Sequence, residues 1–173
     1  RPGEGWSTLL FVPLQEPVSE EEKDGQQSET SACSGKNHSG GKIRKSPGDE
    51  IISVMLVDDH EVMRQGLAQL IQSKTHFEIV AQAADGLEAV RLAQECRPRV
   101  IIMDVSMPRM DGITATDKIR STCPDTAVIG LSMHHDPRTR EKMIAAGASN
   151  YVCKSDSSAR IFEAIYRAVN DAQ

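Results

Sequence analysis

The chain has 173 residues, a formal net charge of −5 and 39% apolar residues. This length is sufficient for one domain with a sizeable core and a shorter additional segment. The acidic balance, without a basic stripe to neutralise phosphates, argues against a chain that wraps nucleic acid. No apolar run approaches the roughly 20 residues that cross a bilayer, so we expect no contact with a membrane and a location in the cytoplasm.

The cysteines are Cys33, Cys96, Cys123 and Cys153, and they form no C-x-x-C pair. Their spacing predicts neither a zinc site nor a disulfide framework. We interpret all four as reduced thiols, which are typical of a cytoplasmic protein.

The first 50 residues divide into two segments. Residues 1–15 begin with Arg rather than Met, which indicates a fragment, and Gly3 and Gly5 precede an apolar stretch. This segment resembles the last glycine box and final strand of a histidine-kinase ATPase domain; an unrelated strand or a cloning remnant is the open alternative. Residues 16–50 are rich in Ser, Gly, Glu, Gln and Lys. Because this composition buries too little apolar surface to offset the entropy of ordering, we predict a disordered linker.

Residues 51–173 alternate short apolar runs with helical patterns. The runs are ISVMLV, FEIVAQA, RVIIMD, TAVIGLS and SNYVCK, and such runs are typical of strands buried on both faces of a parallel sheet. In the first helical segment Met63, Leu67, Leu70 and Ile71 form an apolar stripe. Gly147 is predicted to follow the end of the fourth helix at the C′ position.

Strand and helix alternate five times in this part of the chain. The alternation predicts an α/β fold with a doubly wound, five-stranded parallel sheet, helices on both faces and right-handed crossovers. We see no second core and no internal repeat, so residues 51–173 are predicted to form one domain.

Polar residues follow four of the five predicted strands directly. Asp58 and Asp59 follow the first strand, Asp104 ends the third, Ser132 ends the fourth and Lys154 ends the fifth. Because the carboxyl ends of parallel strands share one edge of the sheet, we expect these side chains to converge. Two unit charges about 4 Å apart repel by about 4 kcal/mol at an effective dielectric near 20, so the carboxylates need positive partners. Lys154 is one, and Mg²⁺, which prefers oxygen ligands, is the predicted cofactor.

A metal ion and a lysine around a carboxylate also indicate phosphoryl transfer. Asp104 is the candidate nucleophile, and its product would be an acyl phosphate. Taken alone, the Asp58–Asp59 pair is more often a solvated turn or a helix N-cap. The joint placement of these residues at strand ends is what favours a site.

The motifs LVDDH, DVSMPRMDG, GLS and NYVCK occur in this order. Together they strongly resemble the receiver (CheY-like) domain of two-component response regulators, over residues 51 to about 172. The resemblance implies a flavodoxin-like sheet of order 2-1-3-4-5 and a phosphoacceptor at Asp104. It also implies that Asp59, Asp104 and the backbone carbonyl of Ser106 ligate Mg²⁺, and that Asp58 holds the metal through water.

The resemblance further implies a switch. Lys154 would pair with the phosphoryl group, Ser132 would donate its hydroxyl to it, and Tyr151 would change rotamer in response. This change would alter the face formed by the fourth helix, fifth strand and fifth helix, which is the expected face for any dimerisation. We interpret His60 as a residue of the first helical turn; a role in tuning the adjacent acidic site is the alternative.

The predicted function is a phosphoacceptor domain of a phosphorelay, with a histidine kinase or a histidine phosphotransfer protein as partner. No enzyme activity is expected beyond its own phosphorylation and dephosphorylation. Segments such as DDHEVMRQGL most resemble NarL- and LuxR-type receivers, which precede a DNA-binding domain. Because no recognition helix follows Gln173, we expect no contact between this chain and nucleic acid. The alternative is the C-terminal receiver of a hybrid histidine kinase.

Two other classes of function are disfavoured. A phosphatase with an Asp nucleophile would need a second acid two residues after Asp104, where Ser106 stands. A degenerate receiver used only for protein interactions would have lost one of the acids or the lysine.

Overall fold

Strands and helices alternate regularly in the computed structural model, which describes residues 51–171; the predictions for residues 1–15 and 16–50 lie outside this range. Each strand lies within one residue of its predicted bounds. The elements are β1 (Ile52–Val57), α1 (Glu61–Gln72), β2 (Phe77–Ala83), α2 (Gly86–Cys96), β3 (Val100–Asp104), α3 (Gly112–Thr122), β4 (Ala127–Ser132), α4 (Pro137–Ala145), β5 (Asn150–Cys153) and α5 (Ser158–Asp171).

The strands form one parallel sheet with the order β2-β1-β3-β4-β5, which confirms the predicted fold. Pairing continues to the carboxyl ends of the strands, where Asp104 lies opposite Leu131 and Ser132 lies opposite Cys153. This register brings the last residues of β3, β4 and β5 to the same edge of the sheet.

Helices cover both faces of the sheet. Leu56, Ile102 and Ile129 pack with buried residues of α1 and α5 on one face, and Ile101 and Met103 pack with residues of α2, α3 and α4 on the other. All five are at most 1% exposed. Because successive strand residues point to opposite faces and both faces are covered, these strands need no polar alternation.

The helix ends follow simple capping rules. The carboxylates of Asp85, Asp111 and Asp136 accept hydrogen bonds from the first backbone N–H groups of α2, α3 and α4. Gly147, with φ of 98°, follows the α4 C-cap in the left-handed region, as predicted. Between residues 51 and 171, no helix combines the length and the apolar content that crossing a membrane requires.

Buried side chains confirm most of the predicted α1 stripe. Leu67 and Ile71 are buried and Leu70 packs against the same core, whereas Met63 is 37% exposed. Met63 belongs to the first turn of α1, and the buried part of the stripe begins one turn later at Leu67.

The cysteines differ from one another in state. Cys123 and Cys153 are buried free thiols, but Cys96 is disulfide-bonded, so the prediction of reduced thiols is wrong at Cys96. Disulfide formation depends on the distance and direction of two side chains in space. Spacing along the sequence does not carry that information.

Candidate functional site

The charged residues predicted from strand ends gather at the carboxyl edge of the sheet. Asp58 and Asp59 directly follow β1, Asp104 ends β3, and Lys154 directly follows β5. Asp58 and Asp104 are buried, and the side chain of Lys154 is only 4% exposed. The parallel sheet thus places carboxylates from two strands beside an ammonium from a third.

Lys154 joins the acidic residues. Its Nζ lies 2.7 Å from Oδ2 of Asp58 and 3.0 Å from Oδ2 of Asp104. Its backbone N–H donates to the carbonyl of Ser132 at 2.7 Å, so the end of β4 fixes the point from which the side chain extends. One ammonium therefore balances part of the charge of two buried carboxylates.

Burial and ion pairing oppose each other at these groups. Burial raises the pKa of Asp104 above its ordinary value, and the contacts with Lys154 offset this only in part. Burial acts to lower the pKa of Lys154, but the contacts with Asp58 and Asp104 outweigh it, so this pKa is raised overall. Lys154 therefore stays protonated beside an Asp104 carboxylate that is more basic than an exposed one, which suits a nucleophile.

The acidic residues are spaced to hold a divalent cation. One ligand atom from each of Asp58, Asp59, His60 and Asp104 lies within 4.8 Å of the others. Opposite ligands of Mg²⁺ are about 4.2 Å apart, since each bond is about 2.1 Å, so small shifts complete the fit. The formal charges at the site would sum to zero, with three carboxylates (−3), Lys154 (+1) and a divalent ion (+2).

One buried oxygen supports this fit. Oδ1 of Asp59 is buried and accepts no hydrogen bond from the residues that the structure describes. Nδ1 of His60 lies 2.9 Å away, but the pair lacks hydrogen-bond geometry. A buried oxygen without a donor is costly, and a cation at this position would satisfy it. The residues present therefore fit Mg²⁺.

The remaining predicted site residues lie around this cluster. The backbone N–H of Ser106 faces Oδ1 of Asp104 at 3.4 Å. Ser132 ends β4 and is buried, and its Oγ accepts from the N–H of His134 at 3.4 Å. Tyr151 is half-buried on β5, and its hydroxyl donates to the carbonyl of His134 at 2.9 Å. Tyr151 thus contacts the loop after β4 rather than the acidic cluster.

The loop between β3 and α3 is held by an ion pair that sequence reasoning missed. The guanidinium of Arg109 pairs with the carboxylate of Asp85, which is 2% exposed. Asp85 also accepts from the N–H groups of Leu87 and Glu88 at 2.8 and 3.0 Å, as the N-cap of α2. The Asp-Gly before a helical pattern indicates a cap, but no sequence signal names Arg109 as its partner.

The start of α3 lies against the carbonyl of Asp104. A Cβ added to Gly112 would lie 2.1 Å from that carbonyl oxygen, so only glycine fits there. The backbone N–H of Gly112 donates to the carbonyl of Val105 at 3.0 Å. This close approach fixes the backbone on both sides of Asp104.

His60 lies beside the cluster, a position that the sequence indicated only as an alternative to a residue of the first helical turn. It is the N-cap residue of α1, and its imidazole lies beside Asp58 and Asp59. The direction of an N-cap side chain is set by the local backbone and could not be read from the sequence.

Comparisons with known proteins agree with this geometry. The family model for the response regulator receiver domain matches residues 54–166. Transcriptional regulatory protein LiaR of Bacillus subtilis is 42% identical over 118 residues, which are 68% of this chain and 56% of LiaR. A two-component response regulator of the LuxR family from Aurantimonas is 36% identical, with a TM-score of 0.68 over 70% of this chain and 87% of that chain.

A third similar protein was solved with ligands. A chain of the CheX–CheY–BeF3–Mg²⁺ complex from Borrelia burgdorferi is 28% identical, with a TM-score of 0.62 over 66% of this chain and 86% of that chain.

The curated relatives are longer than the matched region. The chain covers 56%, 48% and 57% of three of them, about half of their length, and they are named as transcriptional regulatory or response regulator proteins. The expectation that no nucleic acid is contacted therefore has no support from these proteins. The region matched by the family model includes Asp58, Asp104 and Lys154. The chain belongs to the response regulator receiver domain family.

Proposed function

We propose that Asp104 accepts a phosphoryl group from a phosphohistidine of a histidine kinase or histidine phosphotransfer protein. The observation that carries this proposal is the position of Asp104, buried at the end of β3 with Lys154 Nζ 3.0 Å from its Oδ2. The Borrelia complex, whose name includes BeF3 and Mg²⁺, supports the proposal that a receiver domain binds Mg²⁺ together with a group at the phosphoryl position.

In the proposed reaction, a carboxylate oxygen of Asp104 bonds to phosphorus while the phosphorus–nitrogen bond of the donor breaks. The electron pair stays on the imidazole nitrogen of the donor, which takes up a proton. Lys154 is placed to pair with a phosphoryl oxygen. Mg²⁺, held by Asp59, Asp104 and the Ser106 carbonyl, with Asp58 acting through water, would neutralise charge on the transferred group.

The proposed switch starts at Ser132. Its hydroxyl turns to the phosphoryl oxygen, and the loop after β4 follows it, which frees the His134 carbonyl that Tyr151 now contacts. Tyr151 lines a groove of about 850 Å³ between α4, β5 and α5. A change in Tyr151 therefore reshapes this groove, and we keep this face as the proposed surface for dimerisation.

The wider setting is part of the same proposal. The names of the relatives favour a response regulator with an output at DNA over the hybrid histidine kinase. Location in the cytoplasm remains a prediction. The proposed chemistry is limited to phosphorylation and dephosphorylation of the chain itself.

The test is intact-mass measurement of the full chain after treatment with acetyl phosphate and Mg²⁺. We expect the addition of one phosphoryl group in the wild-type protein and in Asp125→Asn, a matched control at an exposed carboxylate before β4. We expect none in Asp104→Asn. Phosphorylation of Asp104→Asn to the wild-type level, or none in the wild type, would refute the proposal.

A further inference from the structure

His60 places a nitrogen atom among the carboxylate oxygens of the site. Its Nδ1 lies 2.9 Å from Oδ1 of Asp59 and 3.5 Å from Oδ1 of Asp58. The side chain is 69% exposed, so one edge of the ring meets the acidic cluster while much of the remainder meets water.

The backbone holds His60 in this position. Its N–H donates to Oδ1 of Asp58 at 2.9 Å, and its carbonyl accepts from the N–H of Arg64 at 3.0 Å, in the first turn of α1. The residue has an extended conformation, with φ of −87° and ψ of 106°. The ring is therefore carried by a backbone that is fixed on one side by a site carboxylate and on the other by the helix.

The contact between His60 and Asp59 is within ion-pair distance but leaves the buried Asp59 oxygen without a hydrogen bond from the described residues. Nδ1 of His60 and Oδ1 of Asp59 are close, but they do not form a hydrogen bond, and the buried oxygen has no other donor among residues 51–171. Each of these two residues offers one ligand atom to the set that lies within 4.8 Å together with Asp58 and Asp104. A cation bonded to both atoms would satisfy them together.

An imidazole donor changes which cation a site prefers. Mg²⁺ favours an all-oxygen shell, whereas first-row transition ions accept imidazole nitrogen readily. A neutral imidazole also adds a ligand without changing the charge sum of the three carboxylates, Lys154 and a divalent ion. A mixed set of oxygen and nitrogen ligands therefore favours a transition ion over Mg²⁺.

We propose that His60 is a direct ligand of the divalent cation through Nδ1, and that it gives the site a preference for imidazole-binding transition ions such as Ni²⁺ over Mg²⁺. The inference rests on the metal site of the proposed function. It adds to that site a ligand that determines metal specificity.

Pulsed electron paramagnetic resonance of Mn²⁺ bound to the full chain tests this directly. The measurement is made at a pH about one unit above the ordinary histidine pKa of about 6.5. The wild-type protein should then show ¹⁴N coupling from a bound imidazole. This coupling should change to ¹⁵N coupling when the histidines are ¹⁵N-labelled. His60→Gln should bind Mn²⁺ without this coupling. His134→Gln, a variant in the exposed loop after β4, is the matched control and should keep it.

Binding constants provide a second readout. In His60→Gln the Ni²⁺ affinity should fall by about tenfold or more, the scale of effects seen when groups around a metal are changed. The Mg²⁺ affinity should change by less than about twofold, because Mg²⁺ gains little from a nitrogen ligand. Mn²⁺ binding without nitrogen coupling, or coupling that persists in His60→Gln, overturns the role of His60 alone. No Mn²⁺ or Mg²⁺ binding by the wild-type protein overturns the metal site itself and the inference with it.

Discussion

At the scale of single residues, Lys154 links the charges of two strand ends. Lys154 pairs with Asp58 and Asp104 inside the protein. Removing one partner of a buried ion pair lowers the free energy of unfolding far more than removing one partner of an exposed pair, because the remaining buried charges lose their partner. The stability of the metal-free protein should therefore depend on Lys154 more than on any surface lysine.

Lys154→Met tests this dependence. Without Mg²⁺, we expect the free energy of unfolding to fall by about 3 kcal/mol, as measured by urea denaturation. Mg²⁺ should narrow the difference from the wild type, since it supplies positive charge to the same carboxylates. Lys118→Met, at an exposed position of α3, should behave as the wild type, and an equal loss with and without Mg²⁺ would contradict the charge-balancing role.

The strand-end residues could be predicted because parallel strands bring their carboxyl ends to one edge. Asp58, Asp104 and Lys154 needed only that rule, and each is where it predicts. The contribution of His60 could not be predicted, since it depends on the direction of one side chain at a helix N-cap. The partner of Asp85 was hidden for the same reason, because Arg109 itself takes a left-handed backbone conformation, with φ of 65°, that Gly usually takes.

At the scale of elements, the Asp85–Arg109 pair connects the start of α2 to the loop after β3. Arg109→Ala should lower the free energy of unfolding by about 1–2 kcal/mol, because it leaves the buried Asp85 carboxylate without its cation. This value is smaller than for a fully buried pair because Arg109 is exposed. In an Asp85→Asn background, which keeps a capping side chain, the same change should cost less than about 0.5 kcal/mol. Equal costs of Arg109→Ala in the two backgrounds, in urea denaturation, would show that the two residues do not interact.

The contact between α3 and β3 depends on Gly112. Gly112→Ala should lower the free energy of unfolding by about 3 kcal/mol, at the upper end of overpacking costs, because the added Cβ meets the backbone carbonyl of Asp104. The control is Gly66→Ala in α1, where a Cβ meets nothing within 4 Å, and there we expect a gain of about 0.5–1 kcal/mol. A Gly112→Ala protein as stable as the wild type would rule out this close approach.

The start of α4 should have a pH-dependent stability. The hydroxyl of Thr139, together with the N–H groups of Thr139 and Arg138, lowers the pKa of Asp136 from 3.8. Because the folded state favours the charged carboxylate, its stabilisation is present above the unfolded pKa and is lost as the pH falls through the lowered value.

Asp136→Ala should therefore lower the Tm by a few degrees at neutral pH. The difference from the wild type should shrink as the pH falls below about 3.8, the ordinary Asp value. Asp125→Ala, at an exposed carboxylate before β4, serves as the control and should show no such trend. A difference that stays constant over this pH range would contradict the charged-cap account.

At the scale of the whole molecule, the fold follows from the alternation of apolar runs and helical stripes. Apart from Ser53 in β1 and Asp104 at the end of β3, the residues of these two strands are apolar, because both faces of the sheet are covered. This is why the pattern identified the class of fold. The disulfide state of Cys96 did not follow, since it depends on a distance in space. The face at α4, β5 and α5, which we propose as the output face, was predicted from the family resemblance, and the shape of its groove depends on side-chain packing.

We infer that acids from separate strands tolerate one another because a divalent cation and Lys154 balance their charge. The most direct test is the Tm of the full chain as a function of Mg²⁺ concentration, since a ligand that binds only the folded state stabilises it by about 2.7 kcal/mol at 100 times its Kd. We predict a rising Tm for the wild type and for Asp125→Asn, and a much smaller rise for Asp59→Asn. A wild-type Tm that does not respond to Mg²⁺ would contradict the account.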